Sequence, residues 1–486
     1  MTLPFILLSF LPILTLLVLS LAKGVKTGIY AGFMVTSALF FLWGNGVFPF
    51  LASLISALTG TVNISMIIFG AIFLYQIMEQ KSYISGIKDS LAAIHPDKSF
   101  KFYFLAFFLT AFFESVAGFG TPGAIVPLLL ISLGYSPLLS IAVVLLIDGL
   151  FAMAGAVGTP VTAGFQIPLE LPIEAVSNIY LYSTAGIFLA GMVILVFVLV
   201  FLKRETTENN PTYAWILYFA IMAPLVLGSF YLRELTGIIA AVVMAVVSYI
   251  FLFKNKKIHL KPWMPYLVLV ILLLLPKIFT GLADFLAYKV EFKAILGTNV
   301  SAGLQPLRSP LLPFLIASAF ALFLVKDFKF DWKPAVSKTF AVFLVLFPSL
   351  AITQLMLNSG SAQMPSMIDA VAAEFIKTGQ AYPLISPMIG ILGTFISGST
   401  TVSNIIFGSV QNSSAVSLGL NPQIVLSMQL MGASLGNAVC LFNIIAAAAV
   451  AGVSDYASIL KKCLLPVLLA SLVVSVFAYF LIWFLG

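Results

Sequence analysis

Charge is what this sequence has least of. Only 8% of its 486 residues are Asp, Glu, Lys or Arg, against about a quarter in a soluble domain. A water-facing surface of ordinary polarity cannot be built from so few. Histidine and cysteine are scarce as well, with two of each. His95 and His259 fall in stretches expected to be loops, and Cys440 and Cys463 in apolar or juxtamembrane stretches. No disulfide framework, metal or cofactor is therefore expected. An enzyme would need a nucleophile–base pair or a metal cluster that these residues do not supply. The net charge is +7, but the basic residues sit in short clusters between apolar blocks and form no groove-reading element, which argues against nucleic acid as a partner.

What is abundant is apolar sequence: 61% of residues are hydrophobic and the mean hydropathy is +1.14. It arrives in blocks near the length of about 20 residues that a bilayer crossing needs. Clear blocks cover 4–22, 28–43, 63–78, 180–202, 213–231, 237–253, 263–280, 310–325, 340–357 and 464–485. The chain reads as an all-α integral membrane protein surrounded by lipid, with about 12–14 transmembrane segments. No basic residue precedes the first apolar run, so it reads as an uncleaved span and not as a signal peptide.

Basic clusters orient the spans by the positive-inside rule. The loop carrying Lys254, Lys256, Lys257, His259 and Lys261 is the most basic and is placed in the cytoplasm, together with Lys81 to Lys101, Lys203–Arg204, Lys326 to Lys338 and Lys461–Lys462. The stretch near Glu170 and Glu174 falls outside, as does 358–378, in which 367–376 reads as a short amphipathic helix.

Two apolar regions do not divide cleanly, 102–164 and 382–453. Both are rich in Gly, Ser, Thr and Pro, and on this topology they cross in opposite senses. That is the signature of inverted repeats with broken or re-entrant helices, the architecture of secondary transporters. One repeat is expected over 1–253 and the other over 254–486.

In the first region Glu114-Ser-Val-Ala-Gly118-Phe119-Gly120-Thr121-Pro122-Gly123 holds three glycines and a proline in ten residues, enough to break a helix. Irregular backbone at membrane depth persists only where protein buries it or a polar cavity hydrates it. Thr121-Pro122 reads as a helix restart, with a capping hydroxyl followed by proline in the first turn, and the restarted half-helix would aim N–H groups at the cavity. In the second region Ser397-Gly-Ser399-Thr400-Thr401-Val-Ser-Asn404, followed by Gly408, Gln411 and Asn412, suits another broken helix. Small residues packing helices closely is the alternative, above all for Gly408. Each region has a partner: Asp148-Gly149 with Gly155 and Gly158-Thr159-Pro160, and Gly432 to Asn437 with Asn443.

Between Lys101 and Lys203 there is no Lys or Arg, and the acids are Glu114, Asp148, Glu170 and Glu174; between Lys377 and Asp455 nothing is charged. An intramembrane ionisable group costs about 3 kcal/mol by insertion scales and is a functional candidate by default. Burial favours the neutral form of a carboxyl, so Glu114 and Asp148 are the proton-coupling candidates. The structural alternative has Asp148 capping a half-helix and Glu114 solvated near the cytoplasmic mouth. With no fixed cation in either core, an anion would rely on half-helix N-termini and hydroxyls. This suits a small monocarboxylate; Arg308, just before a span, is the distant exception.

At this point the motifs acquire a family. Glu114 to Ala124, ESVAGFGTPGA, resembles the E-(G/S)-x-A-G-F-G-x-P segment of bacterial and archaeal L-lactate permeases. GTFISGSTTVSNIIFG, 393–408, resembles their G-x-F-x-(S/T)-G-S-D-T-x-S-N-x-x-F-G segment, and 134–137 and 155–160 match in the same order. The resemblance implies a plasma-membrane secondary transporter that moves lactate and related 2-hydroxymonocarboxylates such as glycolate, usually with a proton. The chain also departs from the pattern. Thr400 stands where Asp is common, Asn437 where many members have Lys, Leu441-Phe442 where they have Pro-Gln, and Asp148 where they have Asn.

The expected function is thus proton-coupled symport of lactate or glycolate, with a sodium-coupled carboxylate transporter of similar architecture as the alternative. Substrate is expected between Gly118, Phe119, Gly120 and Thr121 on one side and Ser399, Thr400, Thr401 and Asn404 on the other, with Thr159, Asn437 and Asn443 nearby. Phe119 would shield the methyl side of lactate.

Overall fold

A computed structural model describes residues 3–485 apart from 24, 93, 119, 206–208, 256–258, 287, 305, 308, 310 and 362–363. Phe119, Arg308, Lys256 and Lys257, all singled out above, therefore lie outside the described residues.

The described chain is almost entirely helical. Six helices are long and apolar enough to cross a membrane by length and composition, and seven shorter apolar helices accompany them. Among the described residues the strands are one antiparallel pair, Val290–Phe292 with Ala302–Leu304. Large exposed side chains such as Leu227, Phe251, Phe323 and Trp483 are unfavourable in water and suited to lipid. The chain is a multi-pass integral membrane protein.

Most apolar blocks become helices of nearly the expected extent: 4–22 is Leu3–Lys23, 213–231 is Pro211–Leu232, 310–325 is Leu311–Val325, and the expected amphipathic segment is Met367–Ile376. The block 63–78 is an exception. It belongs to one continuous 34-residue helix, Val47–Gln80. Ser53, Thr59, Gly60 and Thr61 dilute the hydropathy of its first half, but their hydroxyls do not interrupt it. Ser53 donates to Pro49 O at 2.8 Å, Thr59 to Ile55 O at 2.8 Å and Thr61 to Ala57 O at 2.7 Å, so each polar group is satisfied within its own helix.

The two irregular regions form the centre. Each runs helix, break, helix, turn, helix, break, helix. In the first, Thr110–Val116 and Thr121–Ser132 flank one break, and the other follows Pro137–Phe151, at Ala156, Val157 and Gly158 inside the segment Gly155–Val161. In the second, Tyr382–Ser397 and Thr400–Ser417 flank one break, and Pro422–Gly436 and Leu441–Val450 the other. Nearly every residue of 137–161 and 400–415 is buried, so these broken segments are walled from lipid by the long outer helices. Tyr382–Ser397 and Pro422–Gly436 cross very closely. A Cβ on Gly390 would lie 2.6 Å from Ala433 N, and one on Gly432 would run into the carbonyl of Pro387. Small residues are what allow backbones to approach this far.

Candidate functional site

The first break is built by two left-handed glycines, Gly118 with φ 59° and Gly120 with φ 75°, a region that costs glycine nothing. Gly118 has a second reason to be glycine, since a Cβ there would sit 3.0 Å from Ala156 Cβ and 3.1 Å from Ala156 N. The helix restarts at Thr121, one residue earlier than the capping pattern suggests. Gly120 is the N-cap, and Thr121 is the first helical residue and makes no capping bond. The left-handed turn at Gly120 already redirects the chain, and the missing N–H of Pro122 falls among donors that no helix start satisfies internally. Among the described residues, chain neighbours aside, no atom lies within 4 Å of a Cβ built on Gly120.

The partner break is sharper. Ala156, Val157 and Gly158 are consecutive left-handed residues, with φ of 42°, 55° and 75°. For the first two this costs of order 1–3 kcal/mol each, so surrounding contacts must impose it. Gly118 presses on Ala156. The turn Arg233–Leu235 presses on Gly158, where a Cβ would sit 2.8 Å from Glu234 Cα. Thr159 turns its hydroxyl back to Gly155 O at 3.0 Å.

In the second half Gly398, with φ 72°, closes one helix, and Ser399 caps the next by accepting from Val402 N at 3.3 Å. The hydroxyl of Thr400 donates to Ala433 O at 3.3 Å, and the amide of Asn404 donates to Pro160 O at 3.0 Å. Thr401 is buried beside them. A Cβ on Gly408 would lie 2.8 Å from the Phe165 ring, so Gly408 serves close packing.

The two breaks are joined through 155–164 and 434–447. Asn404 holds Pro160; Ser434 Oγ accepts from Met153 N at 2.9 Å and donates to Gly149 O at 2.8 Å; Gly123 lies against Ala447. The strongest link is polar. Asn443 Nδ2 donates to Asn437 Oδ1 at 2.6 Å, and Asn437 Nδ2 donates to Asp148 Oδ2 at 2.6 Å. Asp148 in turn interacts directly with Glu114. Asp148 lies inside the helix Pro137–Phe151 and not at a cap, and Glu114 is buried and not solvated; the structural alternative fails for both. Glu114 Oε2 and Asp148 Oδ1 have no hydrogen-bond partner among the described residues. Two of the positions that depart from the family pattern, Asp148 and Asn437, are thus bonded to each other.

Sequence reasoning missed two features. One is a buried amide network in which Gln429 Nε2 donates to Ser403 Oγ at 3.1 Å and to Asn404 Oδ1 at 3.3 Å, while Gln411 Nε2 donates to Gln429 Oε1 at 3.0 Å. Its available signal was Gln429, an isolated amide on an apolar run, spaced three residues from Gly432. The other is a cavity of about 950 Å³ whose lining includes Val157, Thr162, Gln166, Arg233, Gln354 and Asn412. It borders the partner break, and among the described residues none of the expected substrate-binding ones line it. Its signal was Arg233, a basic residue in a short connector on the face expected to be acidic.

Interrupted spans that meet around a buried polar line, enclosed by lipid-facing helices, define a multi-pass helical membrane protein of the plasma membrane. The chain belongs to the L-lactate permease family, whose model matches residues 5–263 and 259–485. It is 25% identical over 482 residues to a putative L-lactate permease of Haemophilus influenzae, covering 89% of each chain. It is 29% identical over 402 residues to the L-lactate permease of Streptococcus iniae, covering 76% of this chain and 81% of that one. With the L-lactate permease of Bacillus subtilis it shares 25% identity over 463 residues, covering 82% and 81%. The chain is a transport protein.

Proposed function

We propose that this protein moves L-lactate, and related 2-hydroxymonocarboxylates such as glycolate, across the plasma membrane in symport with a proton. The observation that carries the coupling is the pair Glu114 and Asp148, both buried and interacting directly, with Asp148 held by Asn437. Two like charges at such range do not coexist readily, so the pair accommodates a proton. A pair carrying one also lowers the electrostatic cost of admitting a carboxylate nearby. The repeated order of helices and breaks supports reading 1–253 and 254–486 as inverted repeats that rock about this centre.

The test is accumulation of labelled L-lactate in proteoliposomes under an imposed pH gradient, with sodium equal on both sides. Accumulation driven by the pH gradient supports the reading. Accumulation driven by a sodium gradient at fixed pH, and none by the pH gradient, would remove it.

We assign the substrate carboxylate to the N-terminus of Thr121–Ser132, where Thr121 N–H is taken by Gly118 O at 3.0 Å and Pro122 has none, which leaves the Gly123 N–H and the positive dipole end. Thr121 adds a hydroxyl there. Thr121→Val should raise the apparent KM for L-lactate by about tenfold, the worth of one hydrogen bond to a charged group. An unchanged KM in counterflow assays would move the carboxylate elsewhere.

A further inference from the structure

The cavity of about 950 Å³ is far larger than a small monocarboxylate and lies beside the expected binding residues without including them. Among the described residues two cations line it: Lys289 is paired with Glu291 at 3.3 Å, and Arg233 is the one that carries a donor fork. Arg233 opens the turn Arg233–Leu235, between the packed helices Pro211–Leu232 and Thr236–Phe251. Its backbone is held at φ 47°, which a non-glycine residue rarely adopts. Two long contacts hold its guanidinium: Nε lies 3.7 Å from Glu234 Oε2, and Nη1 donates to Ser177 Oγ at 3.4 Å. Charge-assisted bonds run about 2.7–2.9 Å, and the guanidinium fork has five donors shaped for a carboxylate. The side chain is 22% exposed, so it is neither sealed in protein nor spread in solvent.

Two other groups on the same cavity wall can serve a hydroxyl. Gln166 ends the π-helical turn that follows the partner break, and Asn412 projects from the helix that carries Asn404; both are half-buried on the cavity wall. Glu170 and Lys289 also line it, so the cavity is not uniformly positive, and recognition would come from the fork of Arg233 and not from net charge. Below lies Val157, in the strained break itself. A ligand held here is one segment away from the polar line at Asp148.

We propose that this cavity is an outer carboxylate-binding site, in which Arg233 takes the carboxylate of a small 2-hydroxy acid and Gln166 and Asn412 take its hydroxyl, before the ligand passes inward. The proposal rests on the transport reading above. The site is a vestibule: it holds the anion at the mouth of the pathway without performing the coupling.

The two cysteines are buried, so a new thiol on the wall reports alone. In Thr162→Cys proteoliposomes, with the new thiol on the cavity wall but at none of the proposed ligands, modification by an anionic methanethiosulfonate should be slowed at least fivefold by saturating L-lactate. Adding Arg233→Gln should remove that protection, and Arg233→Lys should restore part of it. In transport, Arg233→Gln should raise KM about tenfold while the saturating rate stays within about twofold. If the Thr162→Cys protein does not insert, Asn299→Cys gives the same readout. Wild-type protein that exchanges lactate while lactate protects neither thiol overturns the outer site and leaves the transport reading standing. Wild-type protein that does not exchange lactate, together with no protection of either introduced thiol, ends both.

Discussion

Asp148→Asn should reduce pH-driven accumulation of L-lactate to simple equilibration while one-for-one exchange continues. The substitution is nearly isosteric, and the amide oxygen can still accept the 2.6 Å bond that Asp148 Oδ2 receives from Asn437. What it removes is a site for a proton. One pH unit is worth about 1.36 kcal/mol, so symport of one proton per lactate accumulates substrate at most about tenfold per unit of gradient, and the variant should lose that factor. Exchange needs only the loaded carrier to reorient. Glu114 alone then has no acidic neighbour with which to share a proton, and between Lys377 and Asp455 there is no other acid to substitute for it. A variant that still accumulates lactate as wild type does would clear Asp148 of coupling. Asn is also what the family pattern has at this position, with Asp and Lys at the positions of Thr400 and Asn437. The triple variant with Asp148→Asn, Thr400→Asp and Asn437→Lys should therefore recover accumulation that the single variant loses.

The second large effect is structural. Gly432→Ala should destabilise the protein severely, although alanine is the better helix former by about 1 kcal/mol. The added methyl would lie 2.7 Å from both the Cα and the carbonyl carbon of Pro387. These are backbone atoms of the facing helix, which no rotamer change can move. Overpacking a tight contact costs about 1–3 kcal/mol and more where the neighbour is rigid, so the helices Tyr382–Ser397 and Pro422–Gly436 must part. The second of these carries Ser434 and leads into Asn437, so parting it also loosens the bonds to Gly149 and Asp148. A marked fall in the detergent-solution melting temperature is expected, together with reduced transport in whatever protein folds. Wild-type melting would show that the crossing is looser than described.

Both results depend on features of differing visibility in the sequence. The breaks at Gly118–Gly120 and Gly398 were legible because glycine, proline and hydroxyl residues have few other uses in an apolar run. The same holds for Gly155–Pro160 and Gly436–Asn437, and for the amphipathic helix Met367–Ile376. That Ala156 and Val157 turn left-handed was not legible, since neither side chain favours it; Gly118 and Glu234 impose it from outside. The first half of Val47–Gln80 was hidden because hydropathy counts its hydroxyls as polar, whereas those of Ser53, Thr59 and Thr61 are bonded within the helix. The bond between Asp148 and Asn437 spans 289 positions, and the cavity at Arg233 draws on several separate helices. Such sites exist only once the helices have packed, and a linear reading identifies their members without assembling them.

The helix Val47–Gln80 has a consequence of its own. At about 1.5 Å per residue, its 34 residues extend over roughly 50 Å, well beyond the roughly 30 Å of hydrocarbon it must cross. Such a rod lies obliquely or protrudes, and an oblique rod changes its slant when the surrounding acyl chains lengthen or shorten. Because this rod also contributes Ser56, Thr59 and Asn63 to the cavity wall, bilayer thickness becomes a mechanical input to the width of that chamber.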